Sequence, residues 1–201
     1  MIKQSLTVDE VVGAADRYAA LGFQTRGDLG QHFLRTPDAA HALLARAGIP
    51  AGAHVLEVGA GLGTLSSAIA TAGHRIWAVE KDERLRGHLT GRLAPFGTRA
   101  RVTFDDVRRV DLDEGLDPGS ALIAIMPFDP ELSVDLIRHV FSCRHVEYGL
   151  VVVPRVCAQL LATSTDLDVE EVDGIARAAF WPPSPTVLRV LELGRRSTCS
   201  S

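Results

Sequence analysis

From residue 54 onward the chain alternates short apolar runs with longer stretches of helical periodicity. His54–Val58, Arg75–Val79, Ala121–Ile125 and Tyr148–Val153 are Val-, Ile-, Leu- or Ala-rich runs, and Arg101–Phe104 is a more polar one. Runs of four to six residues between turn signals read as strands. Between them, Thr64–Ala72, Asp82–Leu93, Leu132–Phe141 and Val156–Ala162 space their apolar residues as helices do. A weak alternating stretch, Leu167–Val172, and a final strand, Thr186–Leu193, close the series. Strands and helices in strict alternation predict an α/β fold: a mostly parallel sheet with helices on both faces.

Two helices are predicted ahead of the first strand. Thr7 and Glu10 have capping-box spacing, Val8, Val11, Val12, Ala15 and Ala19 share one face, and Gly22 is a stop. The second helix opens at Thr36-Pro37-Asp38, an N-cap with proline at the first helical position, and runs through Leu43 and Leu44 to Gly48. The expected organisation is an N-terminal helical extension over residues 1–28, one domain over 29–194, and a flexible polar tail over 195–201.

Composition narrows the function classes. The 201 residues are 46% hydrophobic and 23% charged, enough for a sizeable core. Net charge is -4, and nineteen of the 21 basic residues are arginine, scattered among acids. That balance argues against a surface built mainly to neutralise phosphates. Cys143, Cys157 and Cys199 are too far apart for a metal knuckle or a disulfide framework, which suits a reducing cytoplasm, and no metal site is expected. The first ten residues meet acid before an apolar signal region can form. The longest uncharged stretch, Val58 to His74, is broken by Gly59, Gly61, Gly63, Thr64, Ser66 and Ser67, so no membrane span is expected.

The strongest chemical signal is Val55-Leu56-Glu57-Val58-Gly59-Ala60-Gly61-Leu62-Gly63. A strand that ends in closely spaced glycines and opens a helix lets a ligand press on bare backbone. The next strand ends at Glu80, where a carboxylate meets the hydroxyls of a cofactor ribose. A tight turn with no ligand is the plain alternative, and a nicotinamide dinucleotide is the competing ligand. Glu57, ahead of the first glycine, points instead to S-adenosylmethionine.

Several further motifs fall in one order: Gly30-Gln31-His32-Phe33-Leu34, the glycine turn, Glu80, Phe104-Asp105-Asp106-Val107, Met126-Pro127-Phe128 and Phe180-Trp181-Pro182-Pro183-Ser184-Pro185-Thr186-Val187. Together they resemble the ribosomal RNA adenine N6-dimethyltransferase family, which includes the macrolide-resistance methylases, over about residues 29 to 193. The resemblance implies a Rossmann-like class I methyltransferase fold and S-adenosylmethionine as cofactor. It implies that Gln31, His32 and Leu34 close over the methionine part, with His32 replacing the family's asparagine. Gly59 and Gly61 would border that part, Glu80 would hold the ribose hydroxyls and Asp106 would read the adenine amine, with Glu57 and Lys81 also expected among the cofactor-binding residues.

Three departures set the expected substrate. The family's Asn-Leu-Pro-Tyr/Phe stands here as Ile125-Met126-Pro127-Phe128, so the catalytic motif position has lost the side-chain oxygen that orients an adenine amine. Phe128 keeps the ability to stack on a planar substrate. The chain reaches Ser201 only eight residues after Leu193, without the family's small helical RNA domain, and the stretch between Ala162 and Phe180 is short enough that one strand is expected to be trimmed. With the acidic balance, these predict a small-molecule substrate with RNA disfavoured, no membrane partner and an open oligomeric state. The alternatives are a ribosomal RNA adenine methylase with a relaxed motif, and a non-methylating S-adenosylmethionine-binding protein. Asp129-Pro130-Glu131 reads as a helix start more readily than as a substrate base, and Trp181 as packing under a loop.

Overall fold

The computed structural model describes residues 13–163 and 166–196. In chain order the strands are β1 (Phe33–Leu34), β2 (His54–Val58), β3 (Arg75–Glu80), β4 (Ala100–Phe104), β5 (Ser120–Ile125), β6 (Val146–Pro154), β7 (Leu167–Ile175), β8 (Phe180–Trp181) and β9 (Leu188–Arg195). The α-helices are α1 (Ala14–Ala20), α2 (Pro37–Arg46), α3 (Thr64–Thr71), α4 (Arg86–Leu93), α5 (Leu112–Gly115), α6 (Pro130–Ser142) and α7 (Arg155–Ala162). Seven strands form one sheet in the order β4-β3-β2-β5-β6-β9-β7. Pairing from β4 through β6 is parallel, and β9 runs antiparallel to both β6 and β7.

The apolar runs show no alternation because both faces of the sheet are covered. Leu56, Val58, Trp77, Val79, Leu122, Ala124, Val151 and Val153 face Ile137 and Val140 of α6 and Cys157 and Leu161 of α7. Their neighbours Val55, Ile76, Ala78, Ile123, Leu150 and Val152 face Leu43 and Leu44 of α2, Leu65, Ala68 and Ile69 of α3, and Leu89 and Leu93 of α4. Each Val, Leu or Ile among them taken fully out of water contributes about 1.5–3 kcal/mol, which sandwiches the sheet between its helix layers. Helix starts follow the predicted caps. Thr36 accepts a hydrogen bond from Ala39 N (3.3 Å) ahead of Pro37, and Asp129 accepts one from Leu132 N (2.9 Å) ahead of Pro130.

The strand order reverses direction between β2 and β5. From β2 the chain proceeds outward through β3 and β4, and from β5 outward through β6. A crevice therefore opens at the carboxyl ends of β2 and β5, the usual ligand position in an open α/β sheet.

Other expectations shift. The charged stretch after Asp82 opens with a 3-10 turn, Glu83–Leu85, and becomes α-helical only at Arg86. The strand expected to be trimmed between Ala162 and Phe180 is present: β7 spans nine residues at the sheet edge, with a register shift between Glu171 and Asp173. The last strand begins at Leu188 rather than Thr186 and continues to Arg195. Arg195 is not frayed, because its guanidinium donates to the carbonyls of Phe141 (2.8 Å), Cys143 (2.6 Å) and Val146 (3.0 Å). Of the predicted N-terminal helix, Thr7, Val8, Glu10, Val11 and Val12 lie outside the described residues. Its described part, α1, buries Ala14 and Ala15 in a cluster with Phe33, Leu62 and Leu85. Among the described residues no helix is long and apolar enough to cross a membrane.

Candidate functional site

The turn after β2 is built as the glycine spacing requires. Gly59 N and Ala60 N both donate to Val79 O (2.8 and 3.3 Å), which folds the chain back onto the end of β3. Gly61 has φ of +56°. A Cβ there would lie 2.9 Å from Phe33 Cδ1, so glycine is needed both for the backbone angle and for the aromatic ring that covers the turn. α3 then starts at Thr64.

Glu80 stands at the end of β3 beside this turn and is buried. Its Oε2 accepts from Gly61 N (2.7 Å) and its Oε1 from Asp82 N (2.7 Å). Burial raises its carboxyl above the ordinary range, and the hydrogen bonds from the Asp82 and Gly61 amides oppose that rise. Asp82 is buried as well, held by a fork from Arg84 (Nε 2.9 Å, Nη2 2.6 Å) and by Gln31 Nε2 (2.6 Å). Gln31 Oε1 in turn accepts from Arg26 N (2.9 Å). This network fastens the segment before β1 to the end of β3.

At the end of β4, Asp106 bonds Arg108 (Nη2 2.7 Å, Nε 3.0 Å) and Lys81 Nζ (3.0 Å). The Arg108 guanidinium holds the Asp106 carboxyl well below the usual carboxylate range, with Lys81 adding to the effect. At the end of β5, Met126 N donates to Val152 O (3.0 Å), and Ser133 Oγ donates to Pro127 O. Gly30, left-handed at φ +60°, lets the β1 segment approach this strand end: a Cβ there would sit 3.1 Å from Pro127 Cβ. His32 lies flat on Phe128, with centroids 4.6 Å apart and planes at 20°. β1 pairs with β8, so Phe33 stacks on Trp181 (6.0 Å, 28°) and Leu34 pairs with Phe180.

One cleft gathers these parts. Gln31, His32, Gly59, Gly61, Glu80, Lys81, Asp106, Ile125, Met126 and Pro127 all line it. Phe128 stands behind the His32 ring. Glu57 and Leu34 are elsewhere. Glu57 shares its sheet face with Val55, so it points toward α3 and accepts a hydrogen bond from Ser66 Oγ; burial pushes its carboxyl up to about 8. Leu34 is buried in the core beside α2. Arg108 lines the cleft, and Asp82 and Arg84 brace Gln31 beside it; in the sequence only nearness to Glu80 and Asp106 marks these three.

The model of the ribosomal RNA adenine dimethylase family matches residues 22–200. The chain belongs to this family. Two of its members resemble it along most of its length. The ribosomal RNA small subunit methyltransferase A of Deinococcus radiodurans is 30% identical over 189 residues, covering 87% of this chain and 63% of the relative. That of Thermobifida fusca is 30% identical over 198 residues, covering 89% and 68%. The chain thus spans about two thirds of the length of these relatives. Among solved structures, the 23S rRNA methyltransferase ErmE superposes with a TM-score of 0.69 at 19% identity, over 82% of this chain and 70% of that one. A dimethyladenosine transferase from Plasmodium falciparum gives 0.68 at 19% identity, over 82% and 64%. At this identity the two structures establish a shared fold.

Membership in the family corrects the expected partner. A small-molecule substrate with RNA disfavoured does not stand against relatives named as ribosomal RNA methyltransferases that align over 87% and 89% of the chain. The net charge of -4 is a sum over the whole chain and does not report the charge at the cleft. Asp28 pairs with Arg26, Asp82 with Arg84, and Asp106 with Arg108 and Lys81. Charge counted over the chain therefore says nothing about what the cleft accepts.

Proposed function

We propose that this chain binds S-adenosylmethionine in the cleft and transfers its methyl group to an adenine amine of ribosomal RNA. The family match across residues 22–200, laid over a cleft where the glycine turn and Glu80 meet the end of β5, carries this reading. The donor set suits an adenosyl cofactor. Each Glu80 oxygen spends one lone pair on a backbone amide and keeps another, the arrangement a ribose diol requires. Asp106 accepts from Arg108 N, Nε and Nη2 and from the exposed Lys81 ammonium, so an adenine amino group would take the place of Lys81. S-adenosylmethionine, when bound, supplies a methyl carbon activated by a positive sulfur.

The protein's task is positioning and exclusion of water. Gly59, where a Cβ would meet only Ile125 O at 3.8 Å, would let backbone approach the cofactor without a side chain between, and Gly61 gives its side-chain space to the Phe33 ring. Val58, Phe33, Ile125, Met126, Leu132 and Leu136 give the cleft apolar walls that would exclude water from a bound sulfonium. Phe128 lies behind the His32 ring and holds it flat at the cleft wall. The test is methyl incorporation from labelled cofactor into ribosomal RNA and small ribosomal subunits, followed by nucleoside analysis. Label in N6-methylated adenosine is expected. Cofactor binding without any label in RNA overturns the reading.

A further inference from the structure

An exocyclic adenine amine is a weak nucleophile, because its lone pair is delocalised into the ring. Methyl transfer to it needs an acceptor that draws on an amine N–H and turns the lone pair toward the methyl carbon. The end of β5 offers no such side chain. Ile125, Met126 and Pro127 carry no oxygen or nitrogen in their side chains, and Leu132 and Leu136 are apolar too. The nearby polar side chains are already engaged: Asp129 caps α6 and the Gln31 amide is bonded at both ends to Asp82 and Arg26. The backbone oxygen of Pro127 accepts from Ser133 Oγ and keeps one lone pair.

His32 is the exception. Its Nδ1 lies 2.8 Å from Pro182 O. A carbonyl oxygen only accepts, so Nδ1 is the protonated nitrogen, and the neutral ring has its lone pair on Nε2. Among the described residues Nε2 has no hydrogen-bond partner, and the ring lines the cleft. The ring cannot turn freely. The stack on Phe128 fixes its plane, and the Pro182 bond fixes its rotation within that plane.

We propose that His32 is a catalytic residue whose Nε2 accepts a hydrogen bond from the acceptor amine at the mouth left apolar by Ile125. This rests on the adenine-methylating reading above. As the amine nitrogen forms its bond to the methyl carbon, the carbon–sulfur bond breaks and its electron pair stays on sulfur. The amine proton passes to Nε2, and the imidazolium then releases it to water. Phe128 and Pro182 are the positioning partners that hold the ring.

Two substitutions separate the two ring nitrogens. His32→Asn reproduces a donor near Nδ1 for Pro182 O but places nothing at Nε2. His32→Gln places an acceptor near Nε2. Single-turnover methylation of ribosomal RNA is expected to fall about 100-fold or more in His32→Asn and to recover to within about tenfold of the native protein in His32→Gln. Because His32 lines the cofactor cleft, the rates are compared at saturating S-adenosylmethionine, with the Kd of each variant measured by calorimetry. Long-range proton–nitrogen NMR of the native protein, labelled in its histidines, reads the same point without turnover. Nε2 of His32 is expected to be unprotonated and to shift when an adenine-containing oligonucleotide is added, and not when its purine (6-deamino) analogue is added. A His32→Asn protein as fast as the native one, or an Nε2 that carries the proton or ignores the adenine amine, overturns the proposal. If the native protein methylates no RNA while the NMR response is present, the function reading fails and the Nε2 contact stands.

Discussion

Removing the Glu80 carboxylate tests the cofactor geometry where the structure is most specific. In Glu80→Ala the amides of Gly61 and Asp82 lose their 2.7 Å acceptors inside a buried site. Each stranded donor costs about 1–3 kcal/mol of stability. The effect on binding is larger in consequence. Two ribose hydroxyls donating to a carboxylate are worth about 1.5–3 kcal/mol each, so their loss weakens binding by about 3–6 kcal/mol, or about 10²- to 10⁴-fold in Kd. Glu80→Gln keeps one carbonyl oxygen and should fall between the native protein and alanine. Isothermal titration with S-adenosylmethionine and S-adenosylhomocysteine measures both variants, with far-UV circular dichroism confirming the fold. A Kd for Glu80→Ala within threefold of the native value, in a folded protein, would refute the ribose assignment.

Three further outcomes follow from other parts of the molecule. Glu57 has its folded pKa raised to about 8, so the folded state holds a proton that the unfolded chain releases near 4.5. Stability should therefore be unaffected below pH 4.5, decline by up to about 1.4 kcal/mol per pH unit between 4.5 and 8, and level off above. Urea unfolding across that range should show the slope flattened in Glu57→Gln, and an unchanged slope would rule the group out. Gly115→Ala would put a Cβ 2.0 Å from Trp77 Cζ3, and that indole is fully buried and tied to Thr103 Oγ1 (2.9 Å). It should cost about 1–3 kcal/mol and lower Tm by about 3–10 °C in a thermal melt, whereas a neutral change would mean the α5 turn yields freely. Asp129→Ala removes the α6 cap and should cost about 1 kcal/mol in chemical denaturation while leaving cofactor affinity unchanged. A change in affinity without a change in stability would return Asp129 to the site.

The sheet and the glycine turn were legible because their signals are local. Continuous apolar runs mark covered strands, and Thr36-Pro37 and Asp129-Pro130 announce helices through caps that need no tertiary contact. Glu57 misled for a physical reason. In a strand buried on both faces, sequence does not say which side a residue takes, and the face shared with Val55 sends Glu57 to Ser66 rather than into the cleft. The β1–β8 pair is two residues long and carries no periodicity, yet it brings residues 30–33 over the cleft. Similarly, Arg195 looked like tail chemistry, and only the carbonyls of Phe141, Cys143 and Val146, some fifty residues away, make it part of the sheet. The Gln31–Asp82–Arg84 network is invisible for the same reason.

The cleft is proposed to move a methyl group onto ribosomal RNA adenine. Incubation of the purified 201-residue chain with methyl-labelled S-adenosylmethionine and unmethylated small ribosomal subunits, then mass spectrometry of the digested RNA, tests it most directly. Label is expected in N6-methyladenosine or N6,N6-dimethyladenosine, and is expected to be lost in Glu80→Ala. Tight cofactor binding by calorimetry with RNA that stays unlabelled would contradict it.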